Sequence, residues 1–199
     1  MFIERCVTSL AEARIAVAQG ASRLELCSAL EVDGLTANRK VFLDIKRELD
    51  IEVRVMLRNS HPGFEVSAAS FVQLADDAEW FKQHHADGFV FGFVRDSQLL
   101  EAPSADLLHI CAPLPCTFHK AFDTCKSLPD SLERLIDLGF ASILTSGGYA
   151  TALEGASCLT ALIQQADGRI EVISAGKVRL NDVDSLSNTI KTRIFHCRV

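Results

Sequence analysis

The sequence has no basic run and no basic stripe interleaved with aromatic residues, and its net charge is -6 with a pI near 5.5. Nothing in it attracts a phosphate polymer, which argues against nucleic acid and anionic membrane as partners. No uninterrupted apolar run approaches the ~20 residues of a transmembrane helix. The start, Met1-Phe2-Ile3-Glu4-Arg5-Cys6, lacks the basic and apolar regions of a secretory signal. No Gly-x-Gly-x-x-Gly and no Gly-x-x-x-x-Gly-Lys-Ser/Thr occurs, so nucleotide cradles of those kinds are excluded. Cys-x-x-Cys spacing is also missing, although there are seven cysteines: Cys6, Cys27, Cys111, Cys116, Cys125, Cys158 and Cys197. An odd number of thiols in apolar surroundings, with no signal, predicts free cysteines in a reducing cytoplasm.

What is there is ordinary globular material, 48% hydrophobic and 23% charged over 199 residues, enough for a single domain. Eight short β-rich runs stand out: Ile3-Val7, Arg23-Cys27, Glu52-Arg58, Gly88-Val94, Pro115-His119, Ala141-Thr145, Arg169-Ser174 and Arg193-Val199. Helical patterns separate them. A capping box at Ser9-Leu10-Ala11-Glu12 opens a helix that runs to Gly20. Further helices are predicted over Ala37-Leu49, Ser67-His84, Leu107-Ala112, Leu128-Leu138 and Ala152-Ala166, with a weaker one over Val183-Asn188. Gly88, Gly139 and Gly168 stand where helix-ending glycines belong.

Strand and helix alternating without hairpin turns means parallel pairing and right-handed crossovers. Eight such units predict an α/β fold of the (β/α)8 TIM-type barrel, ahead of an open doubly wound sheet. The last strand meets the end of the chain, so the final helix is expected to be lacking and that side of the barrel to be open to self-association.

Side chains two apart on a strand share a face. Glu4 and Cys6, Glu25 and Cys27, Met56 and Arg58, and Thr117 and His119 form four such sets. Each carries polar groups, so these sets are expected to point into the barrel and toward its C-terminal mouth. There Glu25, Arg58, His119 and Asp123 are the candidate catalytic residues. Glu4 and Glu25 suit an acid and a base, His119 a proton shuttle, and Arg58 a fork for a carboxylate or phosphate. Asp123 is placed to orient His119 or Lys120. Glu4, Thr145, Ser146 and Gly147 are the candidate substrate-binding residues, the last three as a cradle for an anionic oxygen. A buried salt bridge between Glu25 and Arg58 is the competing structural reading.

Six segments, in order, resemble the copper homeostasis protein CutC family. They are Glu25-Leu26-Cys27, Gly34-Leu35-Thr36, Val55-Met56-Leu57-Arg58, Asp87-Gly88-Phe89-Val90-Phe91-Gly92, Thr117-Phe118-His119-Lys120-Ala121-Phe122-Asp123 and Ile143-Leu144-Thr145-Ser146-Gly147. The resemblance implies a barrel, a cytoplasmic location, a homodimer or higher homo-oligomer, and a link to copper. It departs from the family pattern at Arg58-Asn59-Ser60-His61, where Arg-Pro-Arg is usual. It departs again at Lys120, where arginine is usual, and at Ser174-Ala175-Gly176-Lys177, where the turn is usually richer in glycine. The family's longer C-terminal segment does not follow Phe195-His196-Cys197.

Copper gives the mouth a second reading. Cu(I) prefers thiolate and thioether and accepts imidazole, so Cys27, Cys6, Met56 and His119 are the candidate metal ligands. The ligand is then a copper ion, against a small anionic molecule if the barrel is an enzyme. A third possibility is a non-catalytic oligomeric binding protein. The remaining polar clusters read blandly. His84-His85 end a helix, Asp76, Asp77 and Glu79 form a solvated face, and His61 belongs to a turn before Pro62-Gly63.

Overall fold

Eight parallel strands close on themselves in the computed structural model, which describes residues 1–59 and 62–198. The strands are β1 (Phe2–Val7), β2 (Arg23–Leu26), β3 (Val53–Met56), β4 (Gly88–Phe91), β5 (Cys116–Phe118), β6 (Ser142–Thr145), β7 (Glu171–Ser174) and β8 (Ile194–Arg198). Each pairs with its neighbours in sequence, and β8 closes the ring on β1. Among the described residues seven α-helices fill the crossovers: α1 (Leu10–Ala18), α2 (Arg39–Glu48), α3 (Ala68–Gln83), α4 (Glu101–Cys111), α5 (Leu128–Leu138), α6 (Ala156–Ala166) and α7 (Val183–Ile190). The fold is a (β/α)8 barrel, and among the described residues no helix follows β8. No helix among the described residues is long and apolar enough to cross a membrane.

Register decides what each strand face does. Glu4 lies opposite Arg23 and His196, Cys6 opposite Glu25, and Glu25 opposite Arg54. Thr117 lies opposite Val90 and Ser142, and Ser142 opposite Glu171. These residues share the inner face. The alternate residues, Val7, Leu24, Leu26, Val53, Val55, Phe89, Phe91, Phe118 and Ile143, join one apolar cluster with Phe42, Ile45, Leu74, Phe81, Leu107, Leu132 and Leu135 of the helices. The main hydrophobic core thus lies between barrel and helices. The inside is left to a polar layer and two small apolar clusters, Cys6/Cys27/Met56/Val90 and Leu144/Ile173/Ala175.

Local differences from the sequence reading have local causes. α4 begins at Glu101 rather than Leu107, because Pro103 falls in the first turn, where its missing N–H has no partner to lose. The chain between β4 and α4 does contain a hairpin, Val94–Arg95 against Gln98–Leu99, turned by Asp96 and Ser97 at φ 50° and 60°. α6 begins at Ala156 rather than Ala152; Thr151 and Glu154 bond each other's backbone N–H in a turn ahead of it. Gly88 does not end a helix. It is the first residue of β4, and a Cβ there would lie 2.7 Å from the Pro115 carbonyl oxygen. Close strand approach is what requires glycine at that position.

Candidate functional site

Three groups of side chains inherit the residues singled out by the sequence. The first is sulfurous. Cys6 ends the inner face of β1 and Cys27 follows β2, and their Sγ atoms lie 3.5 Å apart. Met56 and Val90 complete the cluster, and Leu30 packs over it. The segment between β2 and α2 closes this end of the barrel. It folds back through a Ser28–Leu35 bridge, and Gly34 at φ 88° sits where a Cβ would be 3.5 Å from both Cys27 Sγ and Met56 Cε. The contact to Cys27, then burial, then the Glu25 charge push the Cys6 thiol well above its ordinary pKa. It is a thiol, not a thiolate, until something replaces its proton.

His119 does not join the sulfurs. Its ring packs 5.2 Å from the Phe64 ring, its Nδ1 accepts the Ala121 N–H at 3.3 Å, and its Nε2 is buried without a partner. Burial, and then the nearby Arg58 charge, push its pKa down to about 3. A neutral, enclosed imidazole is no proton shuttle at neutral pH.

The second group is the polar layer beneath the sulfurs. Glu4 accepts from Arg23 Nε at 2.6 Å and lies 2.8 Å from His196 Nδ1. Glu25 Oε2 lies 3.5 Å from the same nitrogen and makes no hydrogen bond. Burial would raise Glu4, but the bond and charge of His196, and then Arg23, hold it at about 2. Burial raises Glu25 to about 7, with the Glu4 charge adding to it against His196 and the arginines. The two carboxyls are thus displaced in opposite directions from the ordinary carboxylate value. His196 is pulled up by both carboxylates against the effect of its burial. Arg23 also meets Glu171 at 3.2 Å, and Arg54 donates to Glu52, Thr117 and Ser142. Glu4, Glu25 and His196 are the one set of three acidic, imidazole or thiol side chains among the described residues whose donor atoms all lie within 4.8 Å of one another.

Sequence reasoning nominated none of His196, Arg23 and Arg54 for the site, although His196 with Cys197 stood among the strand ends. The signal that finds them is the period-two rule carried one step further. Arg23 precedes Glu25 by two and Arg54 precedes Met56 by two. His196 needs barrel closure as well, since only β8 against β1 brings it beside Glu4.

The third group lies at the rim, in two parts that do not bond each other: Arg58, and the set around Asp123. Arg58 forms no pair with Glu25. It donates to the carbonyls of Val32, Gly34 and Gly63 and stacks over Phe64, so it ties down the segment that covers the thiols. Asp123 does not orient His119. Its carboxylate accepts from Lys120 Nζ, the Thr145 and Ser146 hydroxyls, and the N–H groups of Ser146 and Gly148. Burial would raise Asp123, but the Lys120 charge and these bonds hold it low. The Gly147 N–H is taken by Thr145 Oγ1 at 2.8 Å. The groups named as a cradle for an anionic oxygen thus bond within the chain, Thr145 and Ser146 to the Asp123 carboxylate and Gly147 to Thr145. His61 lies outside the described residues.

A family model described as the CutC family matches residues 1–198. The chain is 37% identical over 196 residues to the human copper homeostasis protein cutC homolog, covering 98% of this chain and 72% of that one. It is 36% identical to a CutC family protein of Treponema denticola, covering 88% and 72%. Among solved structures, the CutC protein of Streptococcus agalactiae superposes with a TM-score of 0.93 at 25% identity, covering 98% and 97%.

Proposed function

The chain belongs to the CutC family, and on that premise we propose that it serves copper homeostasis by binding Cu(I), as cargo, at the Cys6–Cys27 pair. The observation that carries the reading is the 3.5 Å separation of two buried thiols with a thioether, Met56, in the same cluster. That donor set is soft throughout, which is what selects Cu(I) over harder cations. All seven cysteines are free, as thiols in a reducing compartment would be, and the cytoplasm is the location this reading assigns. Association into a homodimer or larger homo-oligomer belongs to the same proposal, to be read by light scattering.

The test is a titration of reduced protein with Cu(I) against a competing chelator. Wild type should bind one equivalent, Cys27→Ser should lose it, and Cys197→Ser should keep it. Binding no stronger than that of a generic thiol, or equal loss in both variants, overturns the proposal.

The alternative is an enzyme acting on a small anionic substrate. It has the split of Glu4 and Glu25 in its favour. Against it stands the rim, where Asp123 accepts from Thr145, Thr145 accepts from Gly147, and Arg58 donates to backbone carbonyls. Thermal stabilisation by a small carboxylate or phosphate metabolite, lost in Glu25→Gln, would bring this reading forward.

A further inference from the structure

We propose that Glu4, Glu25 and His196 form a second metal site inside the barrel, built for a divalent cation of the zinc and manganese kind rather than for Cu(I). The donors are two carboxylate oxygens and one imidazole nitrogen, a set that suits borderline and hard divalent ions and contains no sulfur. Their spacing fits. At metal–ligand distances of 2.0–2.2 Å, tetrahedral donors stand roughly 3.4 Å apart. His196 Nδ1 is 3.5 Å from Glu25 Oε2 and 2.8 Å from Glu4 Oε1, so one contact already has that separation and the other needs to open by about half an ångström.

Three features separate this set from a self-contained ion-pair network. Glu25 is 2% exposed, and its Oε2 points at His196 without any hydrogen-bond partner, which is costly in a native interior unless something completes it. Glu4 uses only Oε2 on Arg23, which leaves Oε1 facing the set while the guanidinium fixes the carboxylate plane, as outer partners of metal ligands do. The third is access. The His196 side chain remains 13% exposed, so the set is not sealed from solvent.

The experiment removes the thiols first. The Cys6→Ser/Cys27→Ser protein is titrated with Co²⁺, and with Zn²⁺ against a chromogenic chelator. One equivalent of Co²⁺ should bind, with no sulfur-to-cobalt charge-transfer band. Adding Glu25→Gln should weaken binding at least tenfold at an unchanged melting temperature. No binding by the folded double variant, or binding indifferent to Glu25→Gln, overturns the proposal. Should the double variant not fold, wild type and Glu25→Gln are compared by Mn²⁺ titration followed by electron paramagnetic resonance, since thiols compete poorly for Mn²⁺. Weaker Mn²⁺ binding in Glu25→Gln supports the site, and equal or absent binding overturns it. Neither arm depends on copper. A protein that ignores Cu(I) but takes up Mn²⁺ at Glu25 keeps this site and loses the copper proposal.

Discussion

Asp123 illustrates how a residue that reads as catalytic in sequence becomes structural in context. Charged groups at a strand end suggested a site, and the strand-end position was right. What sequence could not supply is that the end of β6 and the turn after it deliver two hydroxyls and two N–H groups to the same carboxylate. Replacing it by asparagine turns one acceptor into a donor facing donors. Charge-assisted bonds to a largely buried carboxylate are worth more than neutral ones. Asp123→Asn should therefore cost about 2–4 kcal/mol of stability, seen as a lower urea midpoint with an unchanged slope. An unchanged midpoint would mean that Asp123 is not the staple between the β5 and β6 ends. By contrast, the inner-face parity of Glu4, Cys6, Glu25, Cys27 and Met56 was legible, because period two is a local property of each strand. His196 was not, because its partner Glu4 lies 192 positions away.

Eight strand positions could be read from composition alone, since β-rich runs between helical patterns need no tertiary knowledge. The β2–α2 segment could not, because its conformation is set by partners elsewhere. Ala29 and Asp33 adopt left-handed φ of 49° and 64°, and the segment is held by Arg58 from β3's end and by Arg198 on the Leu30 carbonyl. This element is the cover over the thiols, so its opening governs access to them. Arg58→Met keeps the apolar contact with Phe64 but abandons three carbonyls. Amide exchange at residues 30–35 should then quicken at least tenfold, and Cu(I) loading should speed up without a large change in affinity. Exchange as slow as in wild type would show that the Ser28–Leu35 bridge alone holds the cover.

At the scale of the whole molecule, the barrel sets buried ionisable groups against each other, and the pH dependence of stability is their sum. His119 titrates near 3 when folded against 6.5 as its ordinary value, so between those pH values the unfolded chain binds more protons. That contribution is present above 6.5 and lost as pH falls. Glu25 works the other way. Its folded value of about 7 lies above the ordinary 4.5, so the folded chain holds the extra proton and stability is lost as pH rises through 7. Between about 4.5 and 6.5 the two slopes oppose each other, and wild type should show a nearly flat profile. Above 6.5 His196, raised in the fold, joins Glu25 in favouring the lower pH. His119→Asn keeps an acceptor for the Ala121 N–H but removes one of the opposing slopes. Relative to wild type, it should gain about 2 kcal/mol on going from pH 6.5 to 5, at about 1.4 kcal/mol per unit. Urea midpoints of both proteins at pH 7.5, 6.5, 5.5 and 5 measure the difference, in which the carboxylates common to both cancel. Parallel profiles would mean that His119 takes up its proton in the fold as readily as outside it, and that the enclosure by Phe64, Phe118 and Arg58 does not keep it neutral.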